Sequence, residues 1–108
     1  MKMKRREMKL IFICAPLRAE TQYKQELNRR KAEAIALKYW KKGYAVFCPH
    51  KNSSYFGGEV RETTFIKGNN LILKSCFGIV VVGKNISKGM KREIKEAEKL
   101  NLKFFYEK

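Results

Sequence analysis

A chain of 108 residues and 12.7 kDa has room for one hydrophobic core and excludes a catalytic domain joined to an independently folded partner. With 44 % hydrophobic and 12 % aromatic residues, and only 2 Pro and 7 Gly, its composition is that of a folding chain and not of a collagenous, low-complexity or disordered one. Twenty-five Lys and Arg against 10 Asp and Glu give a formal charge of +15, a field that draws phosphate, whether on a nucleotide, a nucleic acid or an acidic lipid.

Residues 1–8 read as a basic N-terminal extension and residues 9–108 as a single domain. The apolar run that follows the basic start is too short for the core of a signal peptide, and no stretch reaches the ~18 apolar residues of a membrane span. Cys14, Cys48 and Cys76 are odd in number, lack CxxC spacing and sit in or beside apolar runs. A disulfide framework or a zinc site is therefore not expected, and a reducing cytoplasm is.

Four short runs rich in β-branched and aromatic residues, 9–15, 44–49, 78–83 and 102–106, are of strand length. The first three are almost continuously apolar, as strands covered on both faces are. Between them, residues 20–42, 59–75 and 87–99 carry helical periodicity. The alternation predicts an α/β three-layer sandwich with a four- to five-stranded parallel sheet, Rossmann- or flavodoxin-like. In the first helix Tyr23, Leu27, Ala34 and Leu37 form one apolar arc and Ala32, Ile35, Ala36 and Tyr39 another roughly opposite. Two apolar faces need two partners, so the arc of Ala32, Ile35 and Tyr39 is expected to face outward, into a dimer or larger oligomer. Residues 50–58, with Tyr55, Phe56, Gly57 and Gly58, read as a polar loop placed to wall or cover a site.

The carboxyl ends of the strands carry Ala15, Pro16, Leu17 and Arg18, then Pro49, His50 and Lys51, then residues 83–89. In open parallel sheets ligands bind at those ends, so these segments would ring one crevice. Ser87 either caps the last helix or binds phosphate there, with Gly89 permitting close approach. On that helix Met90, Ile94 and Ala97 define the inner face, and Glu93 lies ~40° from Ala97 and ~60° from Met90 on the wheel. One carboxylate thus edges toward the interior. It is a candidate nucleophile or general base, or else a boundary glutamate paired with Lys88, Lys91 or Lys95. Arg18 and Arg61 are the arginines best placed for phosphate, Arg61 sharing a predicted helix face with Phe65, Gly68, Asn69 and Ile72. His50 reads as a loop hydrogen-bonding group more readily than as a base. Neither a P-loop nor a GxGxxG fingerprint is present.

Taken together, the first strand and turn, 11–18, the Gly43-Tyr44 start of the second strand with Pro49-His50 at its end, Arg61, Cys76, and Ser87-Lys88-Gly89-Met90-Lys91-Arg92-Glu93 resemble the nucleoside 2-deoxyribosyltransferase-like superfamily. That superfamily includes deoxynucleoside-monophosphate N-glycosidases and small bacterial or phage-encoded domains. The last run matches its pattern Ser-x-Gly-x-x-x-Glu. The resemblance implies that Glu93 attacks the anomeric carbon of a 2-deoxyribonucleoside, that Ser87 and Arg18 hold a 5′-phosphate, and that Asn69 positions the sugar. Two departures stand out: Asn69 and Phe77 occupy places where the family usually has acidic residues; Asn69 can still hydrogen-bond a sugar hydroxyl but cannot act as a base, and Phe77 can do neither.

The leading expectation is an N-glycosidase or 2-deoxyribosyltransferase-like enzyme acting on (deoxy)nucleoside monophosphates. Glu93 and Asn69 would be catalytic, and Ala15, Pro16, Arg18, His50, Arg61, Ser87 and Gly89 would bind substrate. No metal or organic cofactor is expected, because a covalent nucleophile and leaving-group protonation suffice. A non-catalytic nucleotide binder is the alternative, favoured by Phe77. A basic nucleic-acid-binding module is a third reading, set back by charges that look dispersed in sequence. The expected partners are a nucleotide ligand, a second copy of the chain and, only non-specifically, nucleic acid; no membrane is expected.

Overall fold

The computed structural model describes residues 8–53 and 56–108; residues 1–7 of the basic extension, and Ser54 and Tyr55 of the predicted loop, lie outside the described residues. In chain order the elements are β1 (Leu10–Cys14), α1 (Gln22–Lys41), β2 (Ala45–Phe47), α2 (Pro49–Asn52), α3 (Glu62–Lys74), β3 (Gly78–Val82), α4 (Lys88–Lys99) and β4 (Lys103–Glu107). The four strands pair in parallel in the order β2-β1-β3-β4. This is the expected α/β sandwich, with four strands in the sheet. The short helix α2 occupies the first part of what reads as loop, with Pro49 at its first position, where a missing N–H costs nothing.

Alternation along the two central strands explains their unbroken apolar runs. Ile11 and Ile13 of β1 and Val80 and Val82 of β3 pack with Ala32, Ala36 and Tyr39 of α1. Phe12 and Cys14, with Ile79 and Val81, pack on the other face against Leu73 of α3 and Met90 and Ala97 of α4. Neither face meets water, so neither needs polar residues. The edge strands do not share this enclosure: β2 is only half-buried, and Tyr106 of β4 is 74 % exposed.

The first helix corrects one expectation. Ala32 and Tyr39 are buried and Ile35 packs against the same cluster, so this arc faces the sheet and not a second subunit. The arc with Tyr23, Leu27 and Leu37 is the exposed one, at 73 %, 49 % and 53 %. Both arcs are apolar in the sequence; the buried one also carries a polar anchor. The Tyr39 hydroxyl donates to Glu107 at 2.8 Å, and Lys38 Nζ donates to both oxygens of the same carboxylate at 3.0 Å. The Tyr39 ring meets those of Tyr44 and Phe105, each centroid 5.8 Å away. A tyrosine buries its ring readily when its hydroxyl keeps a partner.

Helix ends follow local chemistry. The Thr21 side chain accepts the Lys24 N–H at 3.1 Å at the start of α1, and Gly43 follows that helix at φ 100°, a left-handed turn that returns the chain to the sheet.

At the start of β3, a Cβ on Gly78 would lie 2.8 Å from the Lys103 carbonyl oxygen and 2.9 Å from the Phe105 ring. The backbone contact cannot be relieved without separating β3 from β4. Gly78→Ala is therefore expected to cost about 1–3 kcal/mol of stability, read as a lowered urea midpoint; an unchanged midpoint would show that the strands can part cheaply.

Candidate active site

The chain leaves β1 for β2 on one side of the sheet and returns to β3 on the other, so the carboxyl ends of β1 and β3 flank a topological switch point, where open sheets hold ligands. Cys14 ends β1, and β3 leads through a short loop to α4. Ser87 is the N-cap of α4: its hydroxyl oxygen accepts the Met90 N–H at 3.2 Å, and its carbonyl accepts the Lys91 N–H at 2.9 Å. Capping, one of the two roles open to Ser87, is thus the one its side chain fills here.

Between α3 and α4 lies a cavity of about 40 Å³ lined by Ile66, Asn69, Asn70, Gly89, Arg92 and Glu93. The structure therefore brings Glu93 and Gly89 together, as their spacing on one helix predicts, and adds Asn69, whose place there was implied by the family resemblance. Met90 and Ala97 are buried and Ile94 packs beside them, which holds α4 in the rotation that turns Glu93 inward. Burial pushes the Glu93 carboxyl up to about 7, against the opposing pull of a hydrogen bond from the Cys14 thiol and of the nearby Arg92 charge. The thiol also lies 3.8 Å from the Met90 carbonyl oxygen, and its own pKa is driven far up by burial and by Glu93. Cys14 is thus a neutral donor facing a carboxylate that titrates near neutrality.

Other expected residues stand apart from this cavity. Arg18 is exposed and ion-paired with Glu62 in the first turn of α3, a contact that ties the β1–α1 loop to the helix carrying Asn69. Arg61 does not share a helix face with Phe65 and Asn69: the helix expected over 59–75 begins only at Glu62, and Arg61 is its exposed N-cap residue. His50 is buried on α2 and hydrogen-bonded with the Ala15 backbone, with its pKa lowered to about 4 by burial and by the charge of Arg29. A neutral imidazole that pins the end of β1 is a structural part, not a wall of the Glu93 cavity. Ala15 and Pro16 are half-buried in the turn after β1. Phe77 stands at the amino end of β3, its N–H donating to the Leu10 carbonyl at 2.7 Å and its ring under Lys9 Nζ at 4.6 Å. That is the end of the sheet away from the crevice, so its aromatic character has no bearing on the site.

Cys14, Glu62, Asn70 and Arg92 are the neighbours that sequence reading missed. Cys14 had a usable signal, being the last residue of a strand whose next turn was already assigned to the crevice. A larger open groove of about 410 Å³ runs beside the β2 edge, walled by residues such as Leu37, Trp40, Val46 and Phe47. Its two charged residues, Glu33 and Lys51, neutralise each other in an ion pair. In the smaller cavity, by contrast, a single carboxylate, that of Glu93, has been withdrawn from water.

Because folding raises the Glu93 pKa from an ordinary 4.5 to about 7, its contribution to stability is complete below 4.5 and is lost as pH rises toward 7. Glu93→Gln removes the ionisation. The variant is expected to melt at the same temperature as wild type near pH 4 and at a higher one at pH 8; equal melting at both would show a carboxylate that is solvated in the fold.

Residues 9–107 match a family described as a domain of unknown function, DUF7768. A comparison with curated proteins returns no match. Among solved structures, the 2-deoxyribosyltransferase of the psychrotolerant bacterium Bacillus psychrosaccharolyticus superposes with a TM-score of 0.65 at 20 % identity, over 90 % of this chain and 70 % of that one. The shared architecture is a flavodoxin-like parallel sheet with its helices on both faces. By its sequence match the chain belongs to the DUF7768 family.

Proposed function

We propose that this protein cleaves or transfers at the N-glycosidic bond of (deoxy)nucleoside monophosphates, with Glu93 as nucleophile. The observation that carries the reading is the Glu93 carboxylate, drawn out of solvent into a cavity shared with Asn69 and Gly89 at the switch point of the sheet. The structural likeness to a 2-deoxyribosyltransferase supports it. In its ionised form Glu93 attacks C1′ of the sugar; the C1′–N bond breaks and the base leaves, its nitrogen taking a proton from solvent. Water or a second base then displaces Glu93 from C1′ and restores the carboxylate. Asn69 donates or accepts a hydrogen bond at a sugar hydroxyl.

A cavity of about 40 Å³ admits only the reacting edge of the sugar, so the base and phosphate extend toward the mouth. There Ser87 has engaged the Met90 and Lys91 N–H groups, and the first N–H groups of α4, on Lys88 and Gly89, are the donors available to an anion. Arg18 reaches the phosphate by exchanging Glu62 for it, a trade that a doubly charged phosphate favours. Nothing in the fold requires glycine at 89, where a Cβ would meet only Arg92 at an ordinary 3.7 Å. Its absence leaves space on the cavity side. A non-catalytic nucleotide binder is the second reading, and the observation that favours it is the amide of Asn69, which brings no acid to the leaving group.

The test is base release from nucleoside monophosphates, followed chromatographically. Monophosphates are expected to bind more tightly than the matching nucleosides, with Arg18→Ala removing most of the difference. Release should rise with pH as Glu93 ionises through about 7. Glu93→Gln should abolish release while retaining binding. Undiminished release in that variant would overturn the mechanism, and binding without release in wild type would establish the second reading. Gly89→Ala is expected to leave the melting temperature unchanged or raised, since alanine favours a helix by about 1 kcal/mol over glycine, yet to weaken nucleotide binding; unaltered binding would free Gly89 of any contact with ligand.

A further inference from the structure

We infer that the outer face of α4 is a docking surface for the phosphate backbone of a nucleic acid, bordering the cavity at Arg92 and extending away from it along the helix. Lys88, Lys91, Arg92, Lys95 and Lys99 are all exposed. At 3.6 residues per turn they fall within an arc of about 100° and extend about 17 Å along the helix. The acidic residues of the helix lie off this arc, with Glu96 and Glu98 beyond its two borders and Glu93 turned inward.

What marks this stripe is that five cations share one helix face and none of them forms an ion pair among the described residues; unpaired lysines elsewhere, such as Lys31 and Lys41 of α1, do not gather into such a row. Among the described residues the six ion pairs all lie elsewhere. On α1, Lys24 faces Glu20, Arg29 and Arg30 share Glu26, and Lys38 holds Glu107. Among the described residues no carboxylate lies within ion-pairing distance of the five cations of α4, nor of Lys67 and Lys74, which are exposed on the neighbouring α3. Like charges left side by side repel one another, and a polyanion relieves that repulsion while releasing its own counterions.

The same helix argues against a lipid surface. Helices that lie on bilayers bury an apolar face among the acyl chains beside a basic one. The apolar face of α4, Met90, Ile94 and Ala97, is already packed in the core, so the helix has charge to offer and nothing to insert. A row of cations spaced by helical turns suits a row of phosphates.

The experiment measures fluorescence anisotropy of a labelled 20-nucleotide single strand at several salt concentrations, on the whole chain. Two variants each remove three positive charges: Lys91, Lys95 and Lys99 to Gln on α4, and Lys24, Lys31 and Lys41 to Gln on α1. Glutamine keeps nearly the helix propensity of lysine, so both are expected to fold. Wild type should bind with a steep salt dependence; the α4 variant should bind about tenfold or more weakly, with the log–log salt slope reduced by about 2, and the α1 variant should stay within about threefold of wild type. Equal losses in both variants would reduce the effect to net charge and overturn the assignment, as would absence of binding by wild type at low salt. Vesicles containing phosphatidylserine complete the comparison: retention that depends on the three α4 lysines, with oligonucleotide binding unaffected by them, would replace nucleic acid by lipid.

Discussion

Covering β1 and β3 on both faces is the constraint from which the other features of this small domain follow. Two central strands of five residues each must shed their alternating side chains into two separate cores. The chain meets this by sending α1 to one face and α3 and α4 to the other. The reversal of direction that this needs creates the switch point at the carboxyl ends of the two strands. Strand alternation also decides which side Cys14 faces: it shares the parity of Phe12, which packs toward α3 and α4, and so its thiol arrives beside Glu93.

Withdrawing Glu93 from water is a local conflict between stability and chemistry. The pull of the Cys14 hydrogen bond and of Arg92 toward the ionised form is smaller than the desolvation that opposes it. A carboxyl poised near neutrality is costly in a core and useful in a site, because near neutral pH its ionised form is populated yet poorly solvated. His50, another buried titratable group at this end of the sheet, shows the opposite outcome. Its charge is suppressed, and the neutral ring serves to join α2 to the end of β1.

Fold likeness and function stand at different distances here. A TM-score of 0.65 over 90 % of the chain establishes the architecture, and the DUF7768 match covers nearly the same span. Flavodoxin-like sheets carry many chemistries, so the functional reading rests on what stands in the cavity and not on the sheet that builds it. Charge is likewise sorted by the fold. The total of +15 suggests a uniformly basic protein, yet α1 spends its acids in pairing while α4 leaves its cations open on one side.

Element order, parallel class, the N-cap at Ser87 and the inward lean of Glu93 were legible in the sequence because each depends on residues a few positions apart, through periodicity or capping. Bringing Asn69 to Glu93 was legible only through resemblance and helix-face reasoning combined. The sequence by itself could not choose between the two apolar arcs of α1, since they differ little in hydrophobicity; the buried arc meets partners far along the chain, Phe105 in the core and Glu107, which receives Tyr39 and Lys38. Nor could it attach Arg18 to Glu62, bury His50, or remove Phe77 from the crevice, because each depends on which end of the sheet a residue occupies or on a partner from another element. Local spacing determined which residues share a face; only long-range packing decided what that face would meet.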